Sequence, residues 1–416
     1  MRVTSYLSLL RGNPAFARLY AAQLASFAGD WFATVALLGL ALELTGSATL
    51  ASMVLVLQTG GFAAAAPLAG ILADRLDRRR LLVAVDLARV PVALAFLLAR
   101  DPETLWIAFV AVAMLAVGAA LFEPTSSASL PNLVAPKDLP AANVLIGSAW
   151  GTMLAVGAGL GGLVAATLGR DAAFVINALS FLLSAWLIIG IRRPLQLPRE
   201  GLEAVTGGVR SAISTVVRFA RARRMVTAFL LTKTSFGIGT GVVALLAVFG
   251  RDVFGAGDAG IGVLFAARGL GVLVGPFMAR SLMGTDDHGL IRGIALSFVV
   301  LVVCYALFPL APSLGIAAAL VFGAHCGGGA QWTLSTLGLQ RSTPDAIRGR
   351  VFSVDYGLVT LVIAISTLLA GVLADLVPPQ AAVWVMAALV AASGVAWYAF
   401  ARTALAEEPR ILDPER

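Results

Sequence analysis

Apolar runs of bilayer length recur along nearly the whole chain, separated by short stretches where Arg, Asp, Pro and Gly concentrate. A membrane-spanning helix needs about 20 predominantly apolar residues. Twelve such runs occur, near residues 17–43, 48–72, 81–99, 104–127, 140–167, 171–190, 225–249, 258–280, 290–309, 314–338, 351–376 and 381–401. The pattern predicts an all-α membrane protein with twelve transmembrane helices, since a helix satisfies its backbone within one segment in lipid. Six spans precede Arg192-Arg193-Pro194 and six follow Arg224. The expected organisation is therefore an N-terminal six-helix bundle at 1–191, a cytoplasmic basic linker at 192–224, a C-terminal six-helix bundle at 225–402 and a cytoplasmic tail at 403–416. Within the linker, Arg210, Arg218 and Arg221 alternate with Val209, Ile213, Val216, Val217 and Phe219. That spacing suits a basic amphipathic helix on the inner membrane face; a solvated linker is the alternative.

Charge placement tests the span count independently. With sides assigned alternately, 24 of the 30 Lys and Arg fall on one face, only Arg100, Arg170 and Arg251 fall on the other, and Arg89, Lys233 and Arg268 lie within spans. A wrong count would scramble this separation, so both termini are expected on the cytoplasmic side of a bacterial-type inner membrane. Composition agrees: 59% of residues are hydrophobic and 13% charged, against about 25% charged in soluble domains, and mean hydropathy is +0.91. The net charge of +7 reads as an orientation signal. Nucleic acid is not an expected partner, because no basic domain exists to hold it. Arg11, Asn13, Pro14 and Arg18 precede the first apolar run, so the first span itself is expected to act as the insertion signal. Cys304 and Cys326 lie inside spans and the chain has two His, so neither a disulfide nor a metal site is expected.

The most informative loop is Gly70-Ile71-Leu72-Ala73-Asp74-Arg75-Leu76-Asp77-Arg78-Arg79-Arg80, a short and sharply charged turn between the second and third spans. This segment resembles motif A of the major facilitator superfamily, and the six-plus-six arrangement fits that superfamily's two pseudo-symmetric bundles. Phe16-Ala17-Arg18-Leu19 with Gln23, Ser26, Gly29 and Asp30, the stretch Phe122-Glu123-Pro124-Thr125 leading to Leu130-Pro131-Asn132-Leu133-Val134, and Pro344 with Arg348-Gly349-Arg350-Val351-Phe352-Ser353 resemble its drug and siderophore exporter branch, which contains macrolide efflux pumps and the enterobactin exporter. The likeness covers roughly residues 10–400. Two departures stand out. Val156-Gly157-Ala158-Gly159-Leu160-Gly161-Gly162 keeps the glycines of the drug-antiporter fifth span without its proline, and Gly275-Pro276-Phe277-Met278-Ala279-Arg280 resembles a copy of motif A without its acid. The resemblance implies gating by Gly70, Asp74, Arg75, Arg78 and Arg79. Asp74 would approach the positive N-terminal end of the eleventh helix, near Arg350 to Asp355, where an anion is worth ~0.3–1 kcal/mol when exposed and up to ~2 when partly buried. Topology alone would account for the arginines.

Ionisable residues inside spans are the other candidates, since each costs about 2.5–3.5 kcal/mol at a helix centre on insertion scales. Asp30, near the middle of the first span beside Gly29 and Trp31, is the first candidate for carrying a coupling proton or meeting a cationic substrate. A salt bridge to a basic residue of the other half is the structural alternative. Glu123 is the second acid, with a kink at Pro124 facing cytoplasmic water as its alternative. The chain has only two Lys, which singles out Lys233 as a contact for an anionic substrate group or an alternating partner of Asp30; snorkelling to the headgroups is its bland reading. Arg268, His325, Trp31, Gln58, Gln331 and Trp332 complete the candidate substrate-binding set, His325 having a helix-helix hydrogen bond as its alternative. Asp86 and Arg89 are three apart and expected to pair on one helical face.

No Gly-x-Ser-x-Gly elbow, P-loop or His-Glu-x-x-His occurs, so an enzyme is not expected and no cofactor is implied. The expected function is a proton-coupled secondary exporter of amphipathic small molecules, drug-like or siderophore-like, working as a monomer in the bilayer by alternating access. Sodium coupling stays open. A lysophospholipid transporter of the same fold and a transport-inactive receptor or scaffold are the alternatives.

Overall fold

The structure is a computed structural model that describes residues 3–196, 209–282 and 286–407. Among these, twelve helical segments are long and apolar enough to cross a membrane. The helices are α1 Val3–Gly12, α2 Pro14–Thr45, α3 Ala48–Arg75, α4 Arg78–Leu94, α5 Leu105–Leu133, α6 Leu139–Leu168, α7 Arg170–Ile189, α8 Val209–Ala222, α9 Arg224–Gly239, α10 Val242–Val248, α11 Gly257–Leu282, α12 Asp287–Leu307, α13 Leu314–Ser342, α14 Asp345–Leu376 and α15 Pro379–Glu407.

Local signals set the ends of the first spans. The Asn13 side chain accepts from the Phe16 amide at 3.1 Å with Pro14 at the first helical position, a pairing that satisfies one orphan N–H and needs no other there. Gly46, at φ 64°, ends α2 in the left-handed region, where glycine carries no Cβ penalty. Ser47 then caps α3 through the Leu50 amide, and Asp77 caps α4 through the Arg80 amide at 2.8 Å. The second acid of the charged loop is thus a helix cap. The terminal helix α1 has no counterpart in the hydropathy pattern, being too short for a span.

Packing divides the chain into two compact units, Met1–Leu202 with Ala247–Ala266, and Glu203–Leu246 with Ala267–Arg416. In the first unit α2 packs on α6 and α7, α4 on α5 and α7, and α3 on α5. The glycines of α6 make these approaches possible. A Cβ on Gly157 would meet Ala28 Cα at 3.2 Å and one on Gly161 would meet Phe32 Cα at 2.7 Å, both on α2. One on Gly162 would meet Gly262 Cα at 2.7 Å, at the start of α11. Small residues let helix backbones come this close in lipid. The 247–266 segment, expected in the C-terminal bundle by sequence order, clusters with the first unit through this seam.

In the second unit α12 packs on α13 and α15, while α9 packs on α13, α14 and α15. Three successive glycines of α13 each face a different neighbour. Cβ atoms there would strike Ser297 O of α12 at 2.7 Å from Gly327, the Phe236 ring of α9 at 2.7 Å from Gly328, and Val272 O of α11 at 2.7 Å from Gly329. Consecutive helical positions point about 100° apart, so the triplet lets α13 sit at the centre of this packing. The seventh span, expected near 225–249, is found as one span over Arg224–Val253, its helix interrupted after Gly239. Ser366 of α14 repairs the break: its hydroxyl accepts from the Gly241 amide at 2.9 Å and donates to Ile238 O at 2.5 Å. Freed backbone groups in a span need such partners.

Candidate functional site

Arg89 is the hub of the first unit. From α4 its guanidinium donates to both Asp30 carboxylate oxygens of α2, at 2.8 and 3.1 Å, and to the Ser26 hydroxyl at 2.9 Å. Asp86, one turn earlier on α4, lies 3.7 Å from the other guanidinium nitrogen with Ser184 of α7 beside it. The Phe181 ring of α7 stacks 3.9 Å from the guanidinium carbon. On the opposite side the Arg89 stem runs against Gly118 of α5, where a Cβ would sit 2.8 Å from Cδ. A flat cation fits this slot, with one terminal nitrogen, Nη2, shared by both Asp30 oxygens and the other, Nη1, turned to Ser26. Arg89 and Asp86 are buried at 3% and 0% exposure, whereas the Asp30 side chain keeps 26%. Glu123 on α5 lies close enough to feel the charges of Asp30 and Arg89. Thr34 donates to Asp30 O at 2.7 Å and accepts from Gln58 Nε2 of α3 at 2.7 Å. Trp31 is buried between Trp150 and Phe265, with ring centroids 6.0 and 5.9 Å away.

Lys233 of α9 and Asp355 of α14 form the corresponding buried pair in the second unit, at 3% and 2% exposure. The Lys233 ammonium lies 4.8 Å from the Trp332 ring centroid of α13, a cation–π distance. Tyr305 of α12 and His325 of α13 share a hydrogen bond at 3.1 Å, and Arg268 of α11 is within electrostatic reach of both. Gln331 is 0% exposed and neither amide atom has a hydrogen-bond partner among the described residues. Asn177, on α7 of the first unit, is in the same condition.

Several expectations are corrected by this geometry. Lys233 does not snorkel; it is buried and its partner is Asp355. Asp30 finds its cation in its own unit, from Arg89, and the pairing expected for Asp86 and Arg89 alone becomes a three-residue cluster. Asp355 does not stand at a helix N-terminus. Helix α14 starts at Asp345, directly after Pro344, so Asp355 lies nearly three turns inside it and its charge is engaged with Lys233. A proline disfavours helix before itself and is compatible with a start just after, which explains the earlier onset. Arg78 donates to Ala128 O at 2.6 Å and Arg79 to Arg193 O at 2.8 Å, tying the charged loop to α5 and to the 191–196 segment. Arg75 is exposed. Gly70 and Asp74 fall at positions whose side-chain surroundings lie outside the described residues. Sequence reasoning left Arg89, Asp86 and Asn177 out of the site. The signal was present for the first two, as an acid and a base three apart in the middle of an apolar run.

At the end of the first unit opposite the charged loop, Arg170 bridges Asp258 at 2.8 Å and Glu43 at 2.9 Å. Arg251 reaches Glu43 at 3.5 Å and Arg100 pairs with Asp171 at 2.9 Å. All three arginines placed by charge on the minority face are therefore found here.

Comparison with known proteins places this geometry. A protein of Bacillus subtilis named "Putative bacilysin exporter BacE" is 26% identical over 313 residues, covering 73% of this chain and 75% of the relative. The "Uncharacterized MFS-type transporter YfiS" of Bacillus subtilis strain 168 is 25% identical over 225 residues, covering 54% of this chain and 53% of its own. Among solved structures, a bacterial homolog of the human lysosomal transporter Spinster, inward-facing and unoccupied, aligns with a TM-score of 0.73 at 14% identity over 94% of this chain and 97% of that one. The nucleoside transporter NupG aligns with a TM-score of 0.71 at 14% identity over 93% and 99%. These two likenesses show the fold. The Transmembrane secretion effector family matches residues 4–411, and with that match and twelve spans in place, the chain belongs to this family and is a multi-pass transporter of the major facilitator superfamily.

Proposed function

We propose that the protein is a proton-coupled exporter of an amphipathic small molecule, working by rocker-switch alternating access, with Asp30, Arg89 and Asp86 as its coupling site. The observation that carries this reading is one buried guanidinium shared by two carboxylates on two helices. The cluster holds one cation for two anions, with Glu123 as a third acid nearby. A desolvated excess of negative charge favours proton uptake. A proton on Asp30 weakens its bonds to Arg89 and leaves the guanidinium to Asp86 on its own helix, so that Ser26 alone of the two α2 acceptors still ties α2 to α4. Loss of the proton restores the tie. The coupling proton thereby becomes a change in helix packing.

Support for a substrate that is both polar and apolar comes from each unit separately. A buried, unbonded amide costs about 1–3 kcal/mol, so Asn177 and Gln331 mark positions where water or substrate supplies the missing bonds. Trp31 and Trp332 offer aromatic surface close to the two ion pairs. The export direction rests on the name of the Bacillus relatives. Proteoliposomes carrying the protein should accumulate at least one compound of an amphipathic panel under an imposed proton gradient and lose it on addition of a protonophore. Accumulation indifferent to both gradient and protonophore would reject proton coupling.

The proposed orientation puts both termini and α8 in the cytoplasm of a bacterial-type plasma membrane, with the Arg170–Asp258 cluster on the outer side. In a background lacking Cys304 and Cys326, an impermeant maleimide added to intact cells is expected to label Gly255→Cys and to miss Ser214→Cys. The reverse pattern would overturn the orientation.

A further inference from the structure

Helix α8 carries a charged face that the transport reading leaves without a role. Residues 209–224 contain five Arg and no acid. Ile213, Val217 and Arg221 follow one another at four-residue spacing, so they form one stripe along the helix, and all three are exposed, Ile213 at 46% and Val217 at 39%. Arg218 adjoins this stripe and is also exposed. Val216 and Ala220 lie on the side that packs within the unit and are buried, where α8 contacts α14 and α9. Only Arg223 separates α8 from Arg224, the first residue of the next membrane span. The helix is therefore held at the mouth of the bilayer by the chain itself.

Two apolar side chains in line with arginines, on a helix tethered at a span end, have the chemistry of an interfacial lipid contact. The apolar pair enters the headgroup–acyl boundary while the guanidiniums meet phosphate. We infer that the exposed face of α8 is a docking surface for anionic phospholipid headgroups of the adjacent leaflet, and that lipid held there braces α9 and α14, the helices that carry Lys233 and Asp355. Water-soluble linkers have no use for exposed Ile213 and Val217, and while Arg224 at the end of this run is met by Glu407 of α15, Arg218 and Arg221 on the exposed face have no acid on their own helix. This inference stands independently of the proton-coupling proposal, since it concerns lipid composition around one helix.

The test uses the full-length protein in nanodiscs made from phosphatidylcholine and phosphatidylglycerol at a fixed ratio, with retained lipid counted by native mass spectrometry. Near an anionic surface each Arg is worth about a factor of five in partitioning. Arg218→Gln/Arg221→Gln is therefore expected to lower phosphatidylglycerol retention severalfold against wild type, with phosphatidylcholine unchanged. Ile213→Ser/Val217→Ser should lower it too without altering charge, which separates an interfacial contact from simple counter-ion attraction. Protein stability in phosphatidylglycerol-free discs should fall to the level of the double arginine variant, linking the lipid to the helices it braces. Equal phosphatidylglycerol retention by the wild type and the arginine variant would overturn the inference. So would cross-linking of α8 to the acidic tail or to a second copy of the chain with lipid retention unaltered.

Discussion

Asp30→Asn is expected to abolish gradient-driven transport while leaving substrate binding and downhill exchange measurable. The substitution keeps volume and hydrogen-bonding capacity but removes the charge that makes Arg89 choose between two carboxylates. Arg89→Leu should behave quite differently. It leaves Asp30 and Asp86 without their shared cation, and removing one partner of a buried ion pair typically costs about 3–5 kcal/mol. Loss of membrane yield and a lower unfolding temperature are therefore expected for Arg89→Leu. The triple variant Asp30→Asn/Asp86→Asn/Arg89→Leu should recover the yield but not the coupling, because neutral residues of similar size pack without the ion pair. A well-expressed Asp30→Asn protein that still accumulates substrate against a proton gradient would remove Asp30 as the carrier and direct attention to Glu123, which lies within electrostatic range. Wild-type stability of Arg89→Leu would show that Phe181, Gly118 and Ser26 do not hold a cation essential to the fold.

The second large effect concerns Lys233 and Asp355. Both are almost fully buried, and they join α9 to α14 beside the break in the seventh span. Lys233→Met strands a carboxylate and Asp355→Asn strands an ammonium, so each should cost about 3–5 kcal/mol of stability, read as a strongly lowered unfolding temperature. Lys233→Met/Asp355→Asn should lie close to wild type, since a pair of neutral side chains avoids the desolvation cost of both ions. The double-mutant cycle measures the interaction directly. Losses that simply add in the double variant would mean that the two residues do not stabilise each other, and the pair would then be a contact without energetic weight. Trp332, 4.8 Å from the ammonium by its ring centroid, is expected to contribute less, about 0.5–2 kcal/mol for a cation–π contact.

Hydropathy alone determined the twelve spans and the class of protein, because lipid enforces continuous apolar helices and leaves little else possible. The charged loop at 70–80 and the acid in the first span were legible for the same reason: an ionisable group inside or beside a span is costly and stands out from its surroundings. Which charge meets which was not legible. A carboxylate has no sequence signal for its partner, and Lys233, Arg268 and Arg89 were equally available to Asp30 until α2, α4 and α7 packed together. Tertiary structure chose Arg89 through features that hydropathy scores as bland: Gly118 opens space for the arginine stem, Phe181 covers the guanidinium, and the Ser26 hydroxyl accepts a hydrogen bond from it. The same holds for the glycines of α6 and α13. Their number was visible along the chain, yet their use depends on the neighbour each one faces, and α6 spends Gly162 on α11, a helix from the other half of the sequence. Composition and periodicity act through local burial, whereas pairing and close approach depend on distances between segments far apart in the chain, which only the packed helices define.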